Sequence, residues 1–324
     1  MWPNPRSGLQ GMQSGNDSKV VISRRVSVNL IMLTYFASGM CSLIDEVIWT
    51  RLFKLILGNT VYASSIVVSV FMGGLALGAL IMGRYCDRVK RHLRLYALLE
   101  SLVTASALSL PWVLKLADPV YVWFYRRFHP SHSYLLIVQV AISAGILLVP
   151  SMLMGSTLPL LGRFVTAIQK ETGHLVGRLY ALNTLGAAAG CFLAGFVLIR
   201  AFGIMGTLYI AAILNLLVAF GGWLLSRFSS VTTDQDDRIA SAYETSGAKT
   251  TDPRFYLLGV AFFVSGFISI SYELLWMRSI AHLLGGFTYV FSGVLSVYLL
   301  GNVIGASISS WFVKNSRSPQ QVLR

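Results

Sequence analysis

Residues 36–79 read FASGMCSLIDEVIWTRLFKLILGNTVYASSIVVSVFMGGLALGA, and the chain writes this stretch a second time at residues 263–306. Gly39, Ser42, Glu46, Trp49, Arg51, Gly58, Tyr62, Ser65, Ser69, Gly74, Gly78 and Ala79 reappear as Gly266, Ser269, Glu273, Trp276, Arg278, Gly285, Tyr289, Ser292, Ser296, Gly301, Gly305 and Ala306. Each pair is 227 positions apart, and no gap is needed. Composition bias rarely holds a Glu, a Trp and an Arg in register with so many glycines. The spacing therefore marks a large duplicated unit whose opening segment is present twice.

The surrounding composition says what solvent the unit lives in. Of 324 residues, 55% are hydrophobic and only 12% charged, with mean hydropathy +0.66. A soluble domain carries about 25% charged residues. Apolar runs of about 20 residues, long enough to cross a ~30 Å hydrocarbon layer as helices, recur along the whole length. They lack the two-residue alternation of barrel strands, and unpaired backbone is not tolerated in lipid, so the expected class is an all-α integral membrane protein.

The formal charge of +13 would point to nucleic acid in a soluble protein. Here its distribution explains it. With the amino terminus inside, 19 of the 26 Lys and Arg fall in inner segments, among them Arg24, Arg25, Arg84, Arg88, Arg163, Arg178, Arg227 and Lys314. That asymmetry puts both termini in the cytoplasm of a multi-pass protein of the bacterial inner membrane, with the bilayer as partner and no nucleic acid. Cys41, Cys86 and Cys191 have no metal-like spacing and read as buried thiols. No cofactor or metal is expected.

Four parts follow along the chain. Residues 1–25 are polar and aperiodic and are expected to form a mobile cytoplasmic tail. Residues 26–226 hold six helices, starting near Ser27, Val61, Leu95, Tyr134, Tyr180 and Gly206. Between the third and fourth, Asp118–His132 combines five aromatic residues with Arg126 and Arg127 and reads as an interfacial helix or an aromatic loop packed on helix ends. In the fourth, Pro150 and Pro159 imply a kink or break. Residues 227–253 are a polar linker rich in Ser, Thr and Asp. Residues 254–324 open a second half with two helices, near Phe255–Ile280 and Tyr289–Val313, giving about eight spans in all.

Few residues in these spans can carry chemistry. Gly39, Ser42, Glu46 and Trp49 are spaced 3, 4 and 3 apart and share one helical face, as do Gly266, Ser269, Glu273 and Trp276. An ionised carboxylate near mid-bilayer costs at least ~2.5 kcal/mol, so these acids should face protein. One reading makes Glu46 and Glu273 cation or proton sites near a pseudo-twofold axis, with Trp49 and Trp276 beside them. The other makes them buried charges tied to basic or hydroxyl partners. Asp45 and Glu100 are weaker candidates, having no matching acid in the other copy. Gly74 and Gly78 form a small-xxx-small contact face, and Asn183 suits a bridge between helices. Asp87 with Arg84 and Arg88 suggests a charged clasp at the turn between the second and third helices. Walker, GxGxxG, HExxH and GxSxG patterns are missing, so soluble catalysis has no support.

Three segments carry a family resemblance: GMCSLIDEVIWTRLFKLILG (39–58), LMGSTLPLL (153–161) and VGRLYALNTLGAAAGCFLAG (176–195). Together they resemble the membrane part of the fused major-facilitator/spermidine-synthase family. Residues 78–91 also resemble the major-facilitator signature, with Asp87 and Arg88 at its acidic and basic positions and Arg84 at a slot usually less charged. The resemblance implies a major-facilitator-like bundle. In full-length relatives it is joined to a Rossmann-like aminopropyltransferase domain that takes decarboxylated S-adenosylmethionine and putrescine on a GGGxG-type turn. That turn does not occur in this sequence. The leading expectation is thus a transmembrane domain that anchors or feeds a catalytic aminopropyltransferase domain or subunit. The alternatives are a secondary transporter of a polyamine or other small cation, and a non-transporting scaffold that assembles as a homo-oligomer through its glycine faces.

Overall fold

The structure, a computed structural model, describes residues 7–57, 61–129, 131–168, 172–228, 253–284 and 287–315. No strand occurs among them. The expected linker lies almost wholly outside the described residues, as do residues 1–6 of the expected tail and Gly58 and Gly285 of the repeat. The helices are α1 (Ser7–Leu57), α2 (Val61–Tyr85), α3 (His92–Phe128), α4 (His132–Gly155), α5 (Thr157–Ile168), α6 (Thr172–Leu193), α7 (Ile199–Phe228), α8 (Pro253–Leu284) and α9 (Phe287–Asn315). A 3-10 turn at Cys86–Arg88 follows α2, and a π segment, Ala194–Leu198, joins α6 to α7.

The two copies fold alike at the level of elements. Each is a long helix, a short break and a second helix, and the first helices end at Leu57 and Leu284, again 227 positions apart. Helix α1 reaches back to Ser7, upstream of the apolar run, so part of the expected tail is helical.

Seven stretches are long and apolar enough to cross a membrane among the described residues, which fits a multi-pass membrane protein. Eight were expected from the sequence. The difference lies in Leu175–Arg227, a 53-residue stretch in which two expected helices run on through the π segment. Gly203 (φ 69°, ψ −178°) interrupts the helical backbone there, in a conformation open only to glycine. The expected interfacial helix is likewise no separate element, because α3 runs through Pro111 and Pro119 to Phe128 before ending on left-handed His129.

The break near the paired prolines falls between them. Helix α4 passes Pro150, stops at Gly155 and turns at Ser156. The Ser156 amide donates to the Met152 carbonyl at 3.0 Å, while its hydroxyl reaches the Gly78 carbonyl of α2 at 3.2 Å. Pro159 is the third residue of α5, where its missing N–H leaves no bond unmade.

Helix α1 is the centre of the packing. Helices α6 and α7 lie along it, α3 and α7 pair, α2 packs on α4, and α6 also runs along α9. One apolar core surrounds the Leu43–Phe53 part of α1 and takes in Val103 and Ala107 of α3, Cys191 of α6 and Ala211 of α7. A second gathers Ile31, Tyr35, Tyr96, Leu160 and Leu179. Glycines permit the tightest approaches. Gly39 has no room for a Cβ against the Asn183 backbone, with Asn183 Oδ1 2.7 Å from where that Cβ would sit, and Gly186 and Gly190 meet the backbones of Phe36 and Met40. Gly74 meets Ser151, and Gly78 meets the Met152 carbonyl. Asn183 and the Gly74/Gly78 face therefore lie at helix contacts.

Candidate functional site: a carboxyl pair between the repeats

Helix α6 brings the two copies together because it presents small residues on two sides. Its α1 side carries Gly186 and Gly190. Toward α9, Gly177 faces Ser310 and the continuing Gly195 meets the Ser292 side chain, with no space for a Cβ. With α9 held there, α8 places Glu273 within electrostatic reach of Glu46, and Cys191 of α6 lies within reach of both acids. The Cys191 thiol donates to the Ser292 carbonyl at 3.6 Å, and the Ser296 hydroxyl donates to the same oxygen at 2.6 Å.

Both acids are enclosed. Glu46 is fully buried and Glu273 is 3% exposed, and among the described residues none of their four carboxyl oxygens has a hydrogen-bond partner. Among the described residues the Ser292 hydroxyl and the Trp49 indole N–H are also buried without hydrogen-bond partners. The reading of Glu46 and Glu273 as charges tied to basic or hydroxyl groups does not hold among the described residues. Two like charges in a low-dielectric site repel, and a cation between them relieves both.

The two tryptophans part company. Trp49 is 0% exposed and stands edge-on to Phe71 at 6.0 Å, whereas Trp276 is 59% exposed. It lines a groove of about 700 Å³ between α8 and α9, together with Glu273, Tyr272 and the Ser269–Tyr298 hydroxyl pair at 2.7 Å.

The residues ranked low for want of a repeat partner form a second acidic centre. Asp45 is fully buried, with neither oxygen hydrogen-bonded among the described residues, and it interacts electrostatically with Glu100 of α3. The Ser38 hydroxyl donates to Glu100 Oε1 at 2.6 Å. Its only sequence signal was two acids in apolar runs. Which helices brought them together was not readable from that.

The clasp at the turn between α2 and α3 uses a different cation from the expected ones. Asp87 Oδ1 pairs with Arg163 Nε of α5 at 2.7 Å. Arg84 is exposed, and Arg88 lies over the Tyr85 ring at 5.6 Å. The physical reason is the direction of the chain. Helix α2 gives way to a 3-10 turn at Cys86, which brings Asp87 to α5 and leaves Arg84 and Arg88 exposed. No group of three His, Cys, Asp or Glu side chains able to hold a metal gathers among the described residues.

No relative identifies this site. A scan against family models finds no match to the chain, and no curated protein or solved structure matches it either. Function must therefore be argued from the residues themselves.

Proposed function

We propose that this chain is a cation-binding module of the membrane, with Glu46 and Glu273 as the paired ligands. The observation that carries the reading is that two buried acids, 227 positions apart, lie within electrostatic reach of each other while all four oxygens lack donors among the described residues. A buried acid kept without a partner costs stability and is a functional-site candidate for that reason. The cation class is a proton or a small amine, since a buried carboxyl pair without hydrogen-bond donors suits a positively charged partner. In this reading Leu175–Arg227 crosses the bilayer twice, being 53 residues long where about 20 suffice. That makes eight passes in a major-facilitator-like arrangement.

The test is uptake of labelled putrescine into proteoliposomes containing the protein, with and without a proton gradient. Glu46→Gln and Glu273→Gln are each expected to lower uptake at least tenfold. Uptake that both variants leave intact would remove the acids from the mechanism, and no uptake by any form would leave the scaffold reading.

A second reading is that the chain anchors an aminopropyltransferase. Its support is the resemblance carried by residues 39–58, 153–161 and 176–195. On this reading, membranes holding the protein should retain a soluble aminopropyltransferase and form spermidine from putrescine and decarboxylated S-adenosylmethionine, while membranes without it should not. Equal retention by both membranes would exclude it.

A further inference from the structure

A polar layer parts the two apolar cores. On α1 the buried residues of the second core end at Tyr35 and those of the first begin at Leu43. On α3 the cores part between Leu99 and Val103, and on α7 between Val218 and Ala211. Each gap holds a buried polar side chain: Ser38, Glu100 and Asn215. Asp45 is buried at the edge of the first core. The Ser38 hydroxyl, donating to Glu100 Oε1 at 2.6 Å, ties α1 to α3 within the layer. Helix α7 is set in register by Gly221 against Thr34 and Gly222 against Tyr96. Asn215 lies two turns from Gly222 on the same face, with Val218 between them, so its amide enters the layer.

The layer is short of partners. Among the described residues, both Asp45 oxygens, both polar atoms of the Asn215 amide and the Tyr96 hydroxyl are buried without hydrogen bonds of normal length and angle. The Tyr96 hydroxyl nevertheless interacts electrostatically with Glu100, so it is directed into the layer. The titratable groups that face the acids are Cys41 and Tyr35 of α1 and Tyr96 of α3, while Tyr180 of α6 reaches Tyr35. Those of α2, α4 and α7 are exposed among the described residues. None of the groups facing Asp45 and Glu100 is basic, and two like charges there repel.

Asp45 and Glu46 are successive residues about 100° apart around α1, and each has its own acid. Asp45 interacts with Glu100, and Glu46 with Glu273. The counterpart of Asp45 in the second copy is Tyr272, so this layer belongs to the first copy alone. A proton is the cation that needs no cavity. The groove that takes in Glu273 is not lined by Asp45 or Glu100, and no metal-holding group gathers among the described residues.

We infer that Asp45 and Glu100 form a second cation site, separate from the Glu46–Glu273 pair, in which the two carboxyls share one proton under the polar side chains of Ser38, Tyr96 and Asn215. The inference goes beyond the Glu46–Glu273 reading and does not depend on it.

The experiment is a pH titration of the full chain in lipid nanodiscs, followed by infrared difference spectroscopy of the protonated-carboxyl band. The part of the band that Asp45→Asn removes belongs to Asp45. This part should titrate reversibly. In a Glu100→Gln background it should bind its proton about tenfold or more weakly, because a neighbouring negative charge has been removed. Glu46→Gln and Glu273→Gln should leave its midpoint in place, whatever they do to putrescine uptake. Ser38→Ala keeps both acids and removes a hydrogen bond from ionised Glu100, so it should strengthen proton binding. The inference is overturned if the Asp45 band does not titrate, if neither Glu100→Gln nor Ser38→Ala moves its midpoint, or if Glu273→Gln moves it as far as Glu100→Gln does.

Discussion

Equivalent residues of the two copies have unequal surroundings, and that inequality can be measured one residue at a time. A side chain at Gly78 would strike the Met152 carbonyl, while one at Gly305 would meet open space. Gly78→Val should therefore cost about 1–3 kcal/mol, the range for overpacking a tight contact. Gly305→Val should change stability by under about 0.5 kcal/mol, as a substitution touching nothing does. Unfolding midpoints in detergent would compare them, and equal losses would contradict the described packing. The same logic applies to the tryptophans. Trp49→Ala removes a fully buried ring packed on Phe71 and should cost about 3–5 kcal/mol, whereas Trp276→Ala should cost far less. The periodicity of residues 39–49 was enough to put Gly39, Glu46 and Trp49 on one face. It was silent on whether Trp276 is covered, because burial depends on which other helix arrives.

Among elements, the breaks decide the path of the chain. Gly203 takes a backbone conformation that other residues reach only at about 1–3 kcal/mol, so Gly203→Ala should lower stability by that amount. An unchanged midpoint would mean the bend is not fixed at Gly203. The turn after α2 is held by Asp87 and Arg163, 65% and 18% exposed at their side chains. Solvent weakens such a pair to about 0.2–1 kcal/mol. Asp87→Arg and Arg163→Asp should each destabilise slightly, and the double exchange should recover most of the loss. No recovery would deny the pairing. Sequence had placed Asp87 in a clasp with Arg84 and Arg88 because they are neighbours in the chain. Arg163, 76 positions away, could be found only once α5 was seen to lie beside the turn.

For the whole molecule, the charge asymmetry makes a prediction independent of any site. Reporter fusions active only in the cytoplasm should work when attached near Arg88 and near Arg227, and fail near Lys115. The opposite pattern would reverse the orientation read from the 19 inner basic residues. The same scale explains why the acids were found as pairs. Glu46 and Glu273 were singled out because each repeats the other, whereas Asp45 and Glu100 were set aside because they do not. The bundle nevertheless brings Asp45 within electrostatic reach of Glu100, since α1 and α3 pack against each other.

The chain's own letters were sufficient for the membrane-type helices, for the duplicated unit and for the break between Pro150 and Pro159. In lipid the backbone must satisfy its hydrogen bonds within each helix, so length, hydropathy and proline placement already determine the element. Tertiary structure alone decided that Glu46 lies within electrostatic reach of Glu273, that Asp87 takes Arg163, and that Gly74 and Gly78 are covered while Gly301 and Gly305 are open. Those outcomes rest on contacts between helices distant in sequence, where close backbone approach at glycine chooses the neighbour, and no local period records which neighbour that is.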